Sequence, residues 1–393
     1  MSISDSLHPL LILVLRVNAS KFLESHAARP DQPPGPWLYD HFDNVAADVG
    51  ATLVTAETGA APDPSGLSPP TSLPRPGPEP TVDRPLILQF CASEPADFAA
   101  AAALAARRFH RHIACIDLNL GCPQATAKRA GFGAFLMEHP DAVETMVSQA
   151  VASAVADPAT GTRVPISVKI RVFDDVARTV AFAKMLERAG CSLLAVHGRT
   201  RAQRHHEGRV RTEIIRAVVD AVGIPVIANG GITDLVGARA MLSETGAAAV
   251  MAAGGLLANT RLFDGVAASP FDNVWRYLDA ARADPPGHHR FIKDHLLANL
   301  RAGLRTDDPV YNMLARNPKV VHIEQYYEIT RVLARRQGAP DPEPQREVLG
   351  LKAIKDMNKQ NAQRPQQQQL SQSLAGGCEG GPACKRPRLG TVP

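Results

Sequence analysis

Residues 113–124 read IACIDLNLGCPQ, an apolar run that stops abruptly at Gly-Cys-Pro. The run has the length of a buried strand, and Pro123 prevents it from continuing as an interior strand. The thiol of Cys122 therefore lies where a strand becomes a loop, and parallel α/β proteins keep their catalytic groups in such loops. The alternative is a buried structural cysteine. The amide of Asn119 within the apolar run favours a functional site.

Short apolar segments alternate with helical patterns from residue 83 to about residue 263. Near-continuous apolar strands with intervening helices predict a parallel sheet that helices cover on both faces. Each predicted strand ends in polar residues or glycine. This indicates a (β/α)8 barrel, because a doubly wound sheet gathers its ligands at a single switch point. The predicted strands are residues 85–90, 113–120, 166–172, 193–196, 225–228 and 248–251.

The N-terminal region, residues 1–82, diverges from this alternation. Residues 52–58 follow a helix-like segment and predict a strand in addition to these six. A barrel of eight strands needs one more, and residues 10–17 are the segment that remains for it. In chain order residues 52–58 would then form the second strand. Residues 62–80 are dense in Pro, Gly and Ser and predict a flexible insertion. We therefore assign the barrel domain to residues 83–268, with the first strands in the region before it.

The chain becomes helical in pattern after the barrel, and residues 269–337 predict a small helical domain. Residues 338–393 are rich in Gln, Pro and Gly and predict a disordered tail. The tail closes with a basic cluster at residues 385–388, which fits a nuclear import signal or a solvated chain end. The predicted fold is an α/β protein, a (β/α)8 TIM barrel with a C-terminal helical domain and a disordered tail.

The composition favours a soluble intracellular protein. The 393 residues carry a net charge of +4, and no stretch reaches the ~18–20 apolar residues of a membrane span. The six cysteines follow no disulfide-framework spacing, which is typical of a reducing compartment. We expect no membrane association and no metal site, and a location in the cytoplasm, the nucleus or both.

Four polar residues fall at equivalent ends of the predicted strands: Gln89, Asn119, Lys169 and His197. They should line the mouth of the barrel. Amide, ammonium and imidazole donors suit an electron-rich heterocycle that becomes anionic on reduction, such as a flavin. The alternative for Lys169 is a strand-end lysine that extends to solvent, and the alternative for His197 is a histidine buried in the core. Neither alternative explains why all four residues fall at equivalent strand ends.

Two glycine pairs follow the last two predicted strands: Gly230-Gly231 and Gly254-Gly255. Glycines allow backbone N–H groups to approach an anion closely, and the last two strands of a barrel often carry a phosphate site. We therefore predict that a phosphate binds there.

Cys122 could act as a nucleophile or as a proton donor. A nucleophilic thiolate needs a base beside it, and although His197 could serve, no Asn or Asp can be assigned to orient its ring. Donation of a proton to a carbanion is less demanding, because a thiol is mostly protonated at neutral pH.

The chain resembles the tRNA dihydrouridine synthase family in four motifs, and the segments NGGI and MAAGGLLANTRLF add support. The motifs look most similar to those of the eukaryotic branch that acts on the D-loop uridines 16 and 17. The four motifs are LNLGCPQ (118–124) followed by AKRAGFGAFL (127–136), DRPLILQFCASEP (83–95), VKIRVF (168–173) and VHGRTR (196–201).

This resemblance implies an FMN enzyme that reduces the C5–C6 double bond of uridine in tRNA, with NADPH, or NADH, as the reductant of the flavin. It implies that Cys122 is the general acid that protonates C5, and that the protein is a monomer whose partner is tRNA. The implied FMN-binding positions are Gln89, Asn119, Lys169, His197, Asn229, Gly230, Gly231, Gly254 and Gly255. The implied tRNA-facing residues are Lys128, Arg129, Arg171, Arg199 and Arg201, with Lys293 and Arg301 in the helical domain.

The chain departs from the family pattern near its N-terminus, where the usual APM motif is absent, and at Gly254, where a glutamate is expected. Two alternatives follow. One is a catalytically impaired tRNA-binding paralogue that lacks the first flavin-supporting strand. The other is another FMN TIM-barrel oxidoreductase that acts on a free pyrimidine, although such a substrate needs neither a helical domain nor a basic tail.

Overall fold

The computed structural model describes three N-terminal strands, at residues 9–10, 13–18 and 52–55, and most of residues 86–357. The gaps within the longer range are residues 112, 204–206, 267–268, 284–288, 302–303, 306, 318–319 and 346. The predicted insertion at residues 62–80 and the tail beyond residue 357 lie outside the described residues.

Eleven strands are present in the described chain, and nine of them form one sheet, while β6 and β7 pair with each other. The strands are β1 (Pro9–Leu10), β2 (Leu13–Asn18), β3 (Thr52–Thr55), β4 (Leu86–Cys91), β5 (Cys115–Leu120), β6 (Val155–Asp157), β7 (Thr162–Arg163), β8 (Ile166–Arg171), β9 (Leu193–His197), β10 (Val226–Asn229) and β11 (Ala249–Ala252).

The large sheet follows the order β1-β3-β11-β10-β9-β8-β5-β4-β2. All neighbours from β11 to β2 in this order pair in parallel. The two ends of the order, β1 and β2, are separated by only residues 11–12, so the sheet closes on itself as a barrel. The predicted strands near residues 10–17 and 52–58 both exist, and the TIM-barrel prediction is confirmed.

The position of β3 in the sheet does not follow its order in the chain. It lies between β1 and β11 and runs antiparallel to both. The reason is that β2 pairs directly with β4, from Leu13 opposite Leu86 to Asn18 opposite Cys91, which leaves no place for a strand between them. β3 instead closes the gap between the last strand and the first.

Side-chain alternation along the strands separates two apolar regions. Residues on one face, such as Leu88 and Leu118, pack in a large core together with the helices. Residues on the other face, such as Ile87, Cys115 and Ile227, form a small cluster in the lumen of the barrel. Since successive strand residues point to opposite faces, one apolar run supplies both regions.

A helix lies in each crossover between the parallel strands from β4 to β11. Two of these helices begin at an aspartate that accepts a hydrogen bond from a backbone N–H, at Asp175 and Asp234. The crossover helices are Pro95–Phe109, Ala125–Arg129, Pro140–Ser153, Val176–Arg188, Thr212–Val219 and Leu235–Thr245; a short helix, Gly254–Ala258, follows β11, and 3-10 helices span Gly133–Glu138 and Leu262–Asp264.

The C-terminal region is helical, as predicted, and continues past residue 337, because residues 351–357 also form a helix. The main helices there are Pro270–Ala283, His289–Asn299, Pro309–Arg316 and Ile323–Arg336. The chain divides into two compact units: residues 1–274 with 294–302, and residues 275–293 with 303–393. None of the helices within the described residues has the length and apolar character needed to cross a bilayer.

The interior of the second unit contains a fully buried arginine. Arg331 donates through Nε to Asp341 Oδ1 at 3.0 Å and contacts Glu328 Oε2 at 3.3 Å. The two carboxylates neutralise the guanidinium, which otherwise carries a large desolvation cost. The predicted tail therefore starts too early, since Asp341 belongs to this cluster.

Candidate active site

Polar side chains converge in the lumen at the carboxyl ends of the parallel strands. Asn119 lies opposite Lys169, and His197 lies opposite Asn229. Gln89 is bonded to Asn119, whose Nδ2 donates to Gln89 Oε1 at 2.6 Å. Lys169 is half-buried and the other four are buried. The structure thus brings together five residues that were predicted to line one site.

Asn119 connects this polar group to the loop that carries Cys122. Its Oδ1 accepts hydrogen bonds from the backbone N–H groups of Gly121 and Cys122, both at 3.1 Å. The side chain of Asn119 therefore caps the end of β5 and determines where the loop begins.

Cys122 is 3% exposed and is enclosed by the next turn of the chain. Ala134 donates its backbone N–H to the carbonyl oxygen of Cys122 at 3.0 Å. Gly133 has φ +70°, and a Cβ added there would lie 2.8 Å from that carbonyl oxygen. Only glycine fits this close approach, so the segment from Gly133 holds the Cys122 backbone against the barrel.

Asp117 and Ser167 extend the polar group deeper into the lumen, and the site residues predicted from sequence omit both. Gln89 Nε2 donates to Asp117 Oδ2 at 2.8 Å, and Ser167 Oγ donates to Asp117 Oδ1 at 2.6 Å. Burial raises the pKa of Asp117 to about 6, although hydrogen bonds from Ser167 and Gln89 act in the opposite direction. The available signal was the period-two spacing of Cys115, Asp117 and Asn119 within one apolar run.

A cavity of about 10 Å³ lies among these groups. Gln89, Asp117, Ser167 and Lys169 line it on the polar side, and the apolar lining residues are Ile87, Leu193, Ala195, Ile227 and Met251. A space of this size is comparable to a single water-sized sphere. The side chains of the strands therefore fill this part of the lumen.

The loops after β10 and β11 bring the two glycine pairs side by side. Asn229 Nδ2 donates to the carbonyl oxygen of Met251 at 2.8 Å, which joins the ends of these strands. A Cβ added at Gly230, where φ is +117°, would lie 2.6 Å from His197 Cδ2. A Cβ at Gly255 would overlap the carbonyl oxygen of Ile232. Both positions therefore require glycine for close packing.

Arg199 adds positive charge near the first glycine pair. Its Nη2 lies 3.9 Å from the position of a Cβ added at Gly231, and its Nε donates to the carbonyl oxygen of Gly208 at 3.3 Å. Desolvation by burial lowers the pKa of Arg199. The glycine backbone, this guanidinium and the lumen amides form a donor set that fits a phosphate-bearing heterocycle such as FMN.

The other predicted tRNA-facing residues have different exposures. Lys128 and Arg129, at the end of the helix Ala125–Arg129, are exposed. Arg201 is partly exposed and lies 3.3 Å from Glu138 Oε1. In the C-terminal region Lys293 is partly exposed and Arg301 is exposed. Lys293 belongs to the unit of residues 275–293 and 303–393, and Arg301 belongs to the unit that contains the barrel.

The structure contradicts the prediction that Arg171 faces nucleic acid, because Arg171 is only 2% exposed. Its Nε donates to the carbonyl oxygen of Gly121 at 2.7 Å, and its Nη1 donates to that of Thr200 at 2.9 Å. The physical reason is strand alternation, which directs residue 171 to the same side of β8 as Lys169 and Ser167. Arg171 therefore ties together the loops after β5 and β9.

Comparison with known proteins identifies the family. Residues 69–327 match the family described as dihydrouridine synthase (Dus). The chain belongs to the dihydrouridine synthase family. The family resemblance in the four motifs is thereby confirmed.

Among curated relatives of this chain, the Rattus norvegicus protein named tRNA-dihydrouridine(16/17) synthase, NAD(P)(+)-like, is 45% identical over 204 residues, 52% of this chain and 44% of the relative. The Saccharomyces cerevisiae tRNA-dihydrouridine(16/17) synthase is 36% identical over 187 residues, 47% of this chain and 41% of the relative. A Homo sapiens tRNA-dihydrouridine(20a/20b) synthase-like protein is 34% identical over 248 residues, 63% of this chain and 75% of the relative.

The rat and yeast relatives confirm the similarity to the branch named for uridines 16 and 17. The matched part of this chain spans less than half the length of the rat and yeast relatives, at 44% and 41%.

Proposed function

We propose that this protein reduces uridine to 5,6-dihydrouridine in the D-loop of tRNA, at positions 16 and 17, with FMN as cofactor and NADPH, or NADH, as reductant. The observation that carries the proposal is the fixed position of Cys122 at the end of a polar barrel lumen, beside a donor set that fits a flavin. The names of the relatives support tRNA as the substrate and NAD(P) as the redox partner.

The flavin site would use the polar groups of the lumen and the paired glycines. Gln89, Asn119, His197 and Asn229 would supply hydrogen bonds to the flavin, and the glycine loops after β10 and β11 would hold its phosphate. Lys169 brings a positive charge to the same end of the lumen, which favours a ring that becomes anionic on reduction. The chemistry supplied by bound FMN is hydride transfer to C6 of uracil, after the reductant has reduced the flavin.

Cys122 acts as the proton donor to C5. Its S–H bond breaks as the C5–H bond forms, and the resulting thiolate recovers a proton from water. Asn119 and Ala134 hold the backbone on both sides of this residue, so the thiol is oriented before the substrate arrives.

The tRNA substrate would contact the rim of the barrel. Lys128 and Arg129 are exposed on the short helix that follows Cys122, so they are well placed for phosphates beside the reacting base. Further proposed tRNA contacts are Arg199, Arg201, Lys293 and Arg301. The target uridine must leave its stack to reach the lumen. We propose a monomer that acts in the cytoplasm, the nucleus or both.

The main alternative remains a catalytically impaired tRNA-binding paralogue. The missing APM motif and Gly254 in place of glutamate favour it. The closure of the barrel through β1 and β2 favours an active enzyme, because a first strand is present. An oxidoreductase that acts on a free pyrimidine is the second alternative.

The test starts with the visible absorption spectrum of the purified chain and chromatography of any released cofactor. We expect bound FMN, and NADPH oxidation that requires unmodified tRNA and yields dihydrouridine at positions 16 and 17. A colourless protein that cannot take up FMN contradicts the proposal and supports the paralogue. Oxidation that depends on a free pyrimidine but not on tRNA supports the second alternative.

A further inference from the structure

Asp117 lies below the predicted site and has no role in the proposed chemistry. Its carboxylate is the first member of an unbroken chain of buried hydrogen bonds. The chain runs from Asp117 through the carboxamide of Gln89 and the carboxamide of Asn119 to the backbone N–H groups of Gly121 and Cys122.

The direction of this chain is determined at both ends. An ionised carboxylate only accepts hydrogen bonds, so Gln89 must present its NH2 group to Asp117 and its oxygen to Asn119. The backbone N–H groups at the other end only donate, so Asn119 must present its oxygen to them. Both ends require the same orientation of the two amides.

We propose that Asp117 is a positioning residue that acts through Gln89 and Asn119 to hold the Gly121–Cys122 backbone in place. The inference rests on the proposed function only for the role of the thiol. Without an acceptor at position 117, the Gln89 amide can rotate and present NH2 to the NH2 of Asn119, which disrupts the next bond in the chain.

Because of Ser167, the negative charge of Asp117 can be removed experimentally without loss of the oxygen that accepts from Gln89. Its hydroxyl donates to Asp117 and lies 3.3 Å from Cys115 Sγ. If asparagine replaces Asp117, the hydroxyl can turn and accept from the new NH2 group, while the asparagine oxygen still accepts from Gln89. Asp117→Asn should therefore retain the chain, and Asp117→Leu should break it.

The decisive measurement is amide hydrogen exchange at Gly121 and Cys122 in the full-length protein, since it needs no catalysis. We expect Asp117→Leu to accelerate exchange at these two amides roughly tenfold or more, because they lose a well-oriented acceptor. Asp117→Asn and the control Ser167→Ala should leave it within about threefold.

The outcomes separate positioning from general destabilisation. Unchanged exchange at Gly121 and Cys122 in Asp117→Leu overturns the proposal, and so does an equal increase across β10 and β11. If Asp117→Leu does not fold, Gln89→Met interrupts the chain at its middle and must give the same local increase. An unchanged result for Gln89→Met also overturns the proposal.

A kinetic readout links the chain to Cys122. In single-turnover reduction of tRNA by the pre-reduced enzyme, Asp117→Leu should slow the reaction at least about tenfold. Combined with Asn119→Ala, it should add little to the effect of Asn119→Ala alone, because both act on one chain. Additive effects contradict action through Asn119. Local exchange changes without any dihydrouridine formation by the wild type would refute the proposed function and leave the positioning role intact.

Discussion

Cys122 differs from the other buried thiols of the barrel in its position. Cys115 and Cys191 lie deep in the protein, and burial raises the pKa of each thiol to about 12. Such thiols stay protonated and unreactive at physiological pH. Cys122 instead lies two residues beyond Leu120, the last residue of β5, in the loop that follows the strand. Location in the loop beyond the strand, rather than burial, therefore separates Cys122 from Cys115 and Cys191.

Replacement of Cys122 by alanine tests the proton donor directly. We expect flavin content and tRNA affinity to stay unchanged and the single-turnover rate of uridine reduction to fall at least about 100-fold, the usual contribution of a general acid. The matched control is Cys115→Ala, which also removes a buried thiol and should keep the rate within a few-fold. Full activity in Cys122→Ala contradicts the assignment.

Asp117 predicts a pH dependence of stability. Its pKa is raised from 3.8 to about 6 in the folded protein, mainly by burial. Between these values the folded protein binds more protons than the unfolded chain, so the stability contributed by this group falls as the pH rises from about 4 to about 6. Relative to Asp117→Asn, the wild type should lose up to about 3 kcal/mol of unfolding free energy over this range. Urea denaturation of both proteins measures the difference, and a difference independent of pH contradicts the shift.

The loops at the carboxyl ends of the strands depend on one another for their hydrogen bonds. Arg171 joins the loop after β5 to the loop after β9 through the carbonyl oxygens of Gly121 and Thr200. The backbone N–H of the same Gly121 donates to Asn119 Oδ1. The loop that carries Cys122 is therefore held by a side chain of β8 in addition to one of its own strand.

Replacement of Arg171 by leucine should destabilise this pair of loops. Two buried carbonyl oxygens lose their donors, and we expect a loss of about 2–4 kcal/mol in the free energy of unfolding, measured with urea. The matched control is Arg216→Ala, which removes an exposed i,i+4 ion pair with Asp220 and should cost less than about 0.5 kcal/mol. Equal effects of the two substitutions would show that the Arg171 bonds contribute little.

The whole barrel depends on pairing between its first and last strands. The segment 9–18 pairs with β3 through Pro9–Leu10 and with β4 through Leu13–Asn18. Closure of the sheet leaves the lumen as the place where polar side chains from different strands meet. The proposed flavin site therefore requires the N-terminal segment even though that segment lacks the usual family motif.

Recognition of tRNA by the rim should depend on salt. Lys128 and Arg129 are exposed, and neither forms an ion pair with another described residue. Alanine at both positions should weaken tRNA binding and reduce the slope of log affinity against log salt by about 0.7–0.9 per residue. The control Arg216→Ala removes a cation that is already paired with Asp220 and should change the slope little. An unchanged slope in the double variant excludes phosphate contacts at these residues.

Local patterns along the chain were sufficient to locate the parallel strands, the crossover helices and the end of β5 with Cys122, because apolar periodicity and Pro123 act within a few residues. They also indicated Gln89, Asn119, Lys169 and His197 as members of one site, because parallel strands end at the same edge. The direction and place of β3 depend instead on which strand edges remain open after the rest of the barrel has paired.

The contact of Asp117 with Gln89, which are 28 residues apart in the chain, likewise follows from the pairing of β4 with β5. The burial of Arg171 follows from the loops that meet around its guanidinium. Residue type and spacing show that a side chain is polar and at a strand end. Whether it then faces solvent or another strand is settled by long-range packing, because the hydrogen-bond partners come from separate segments.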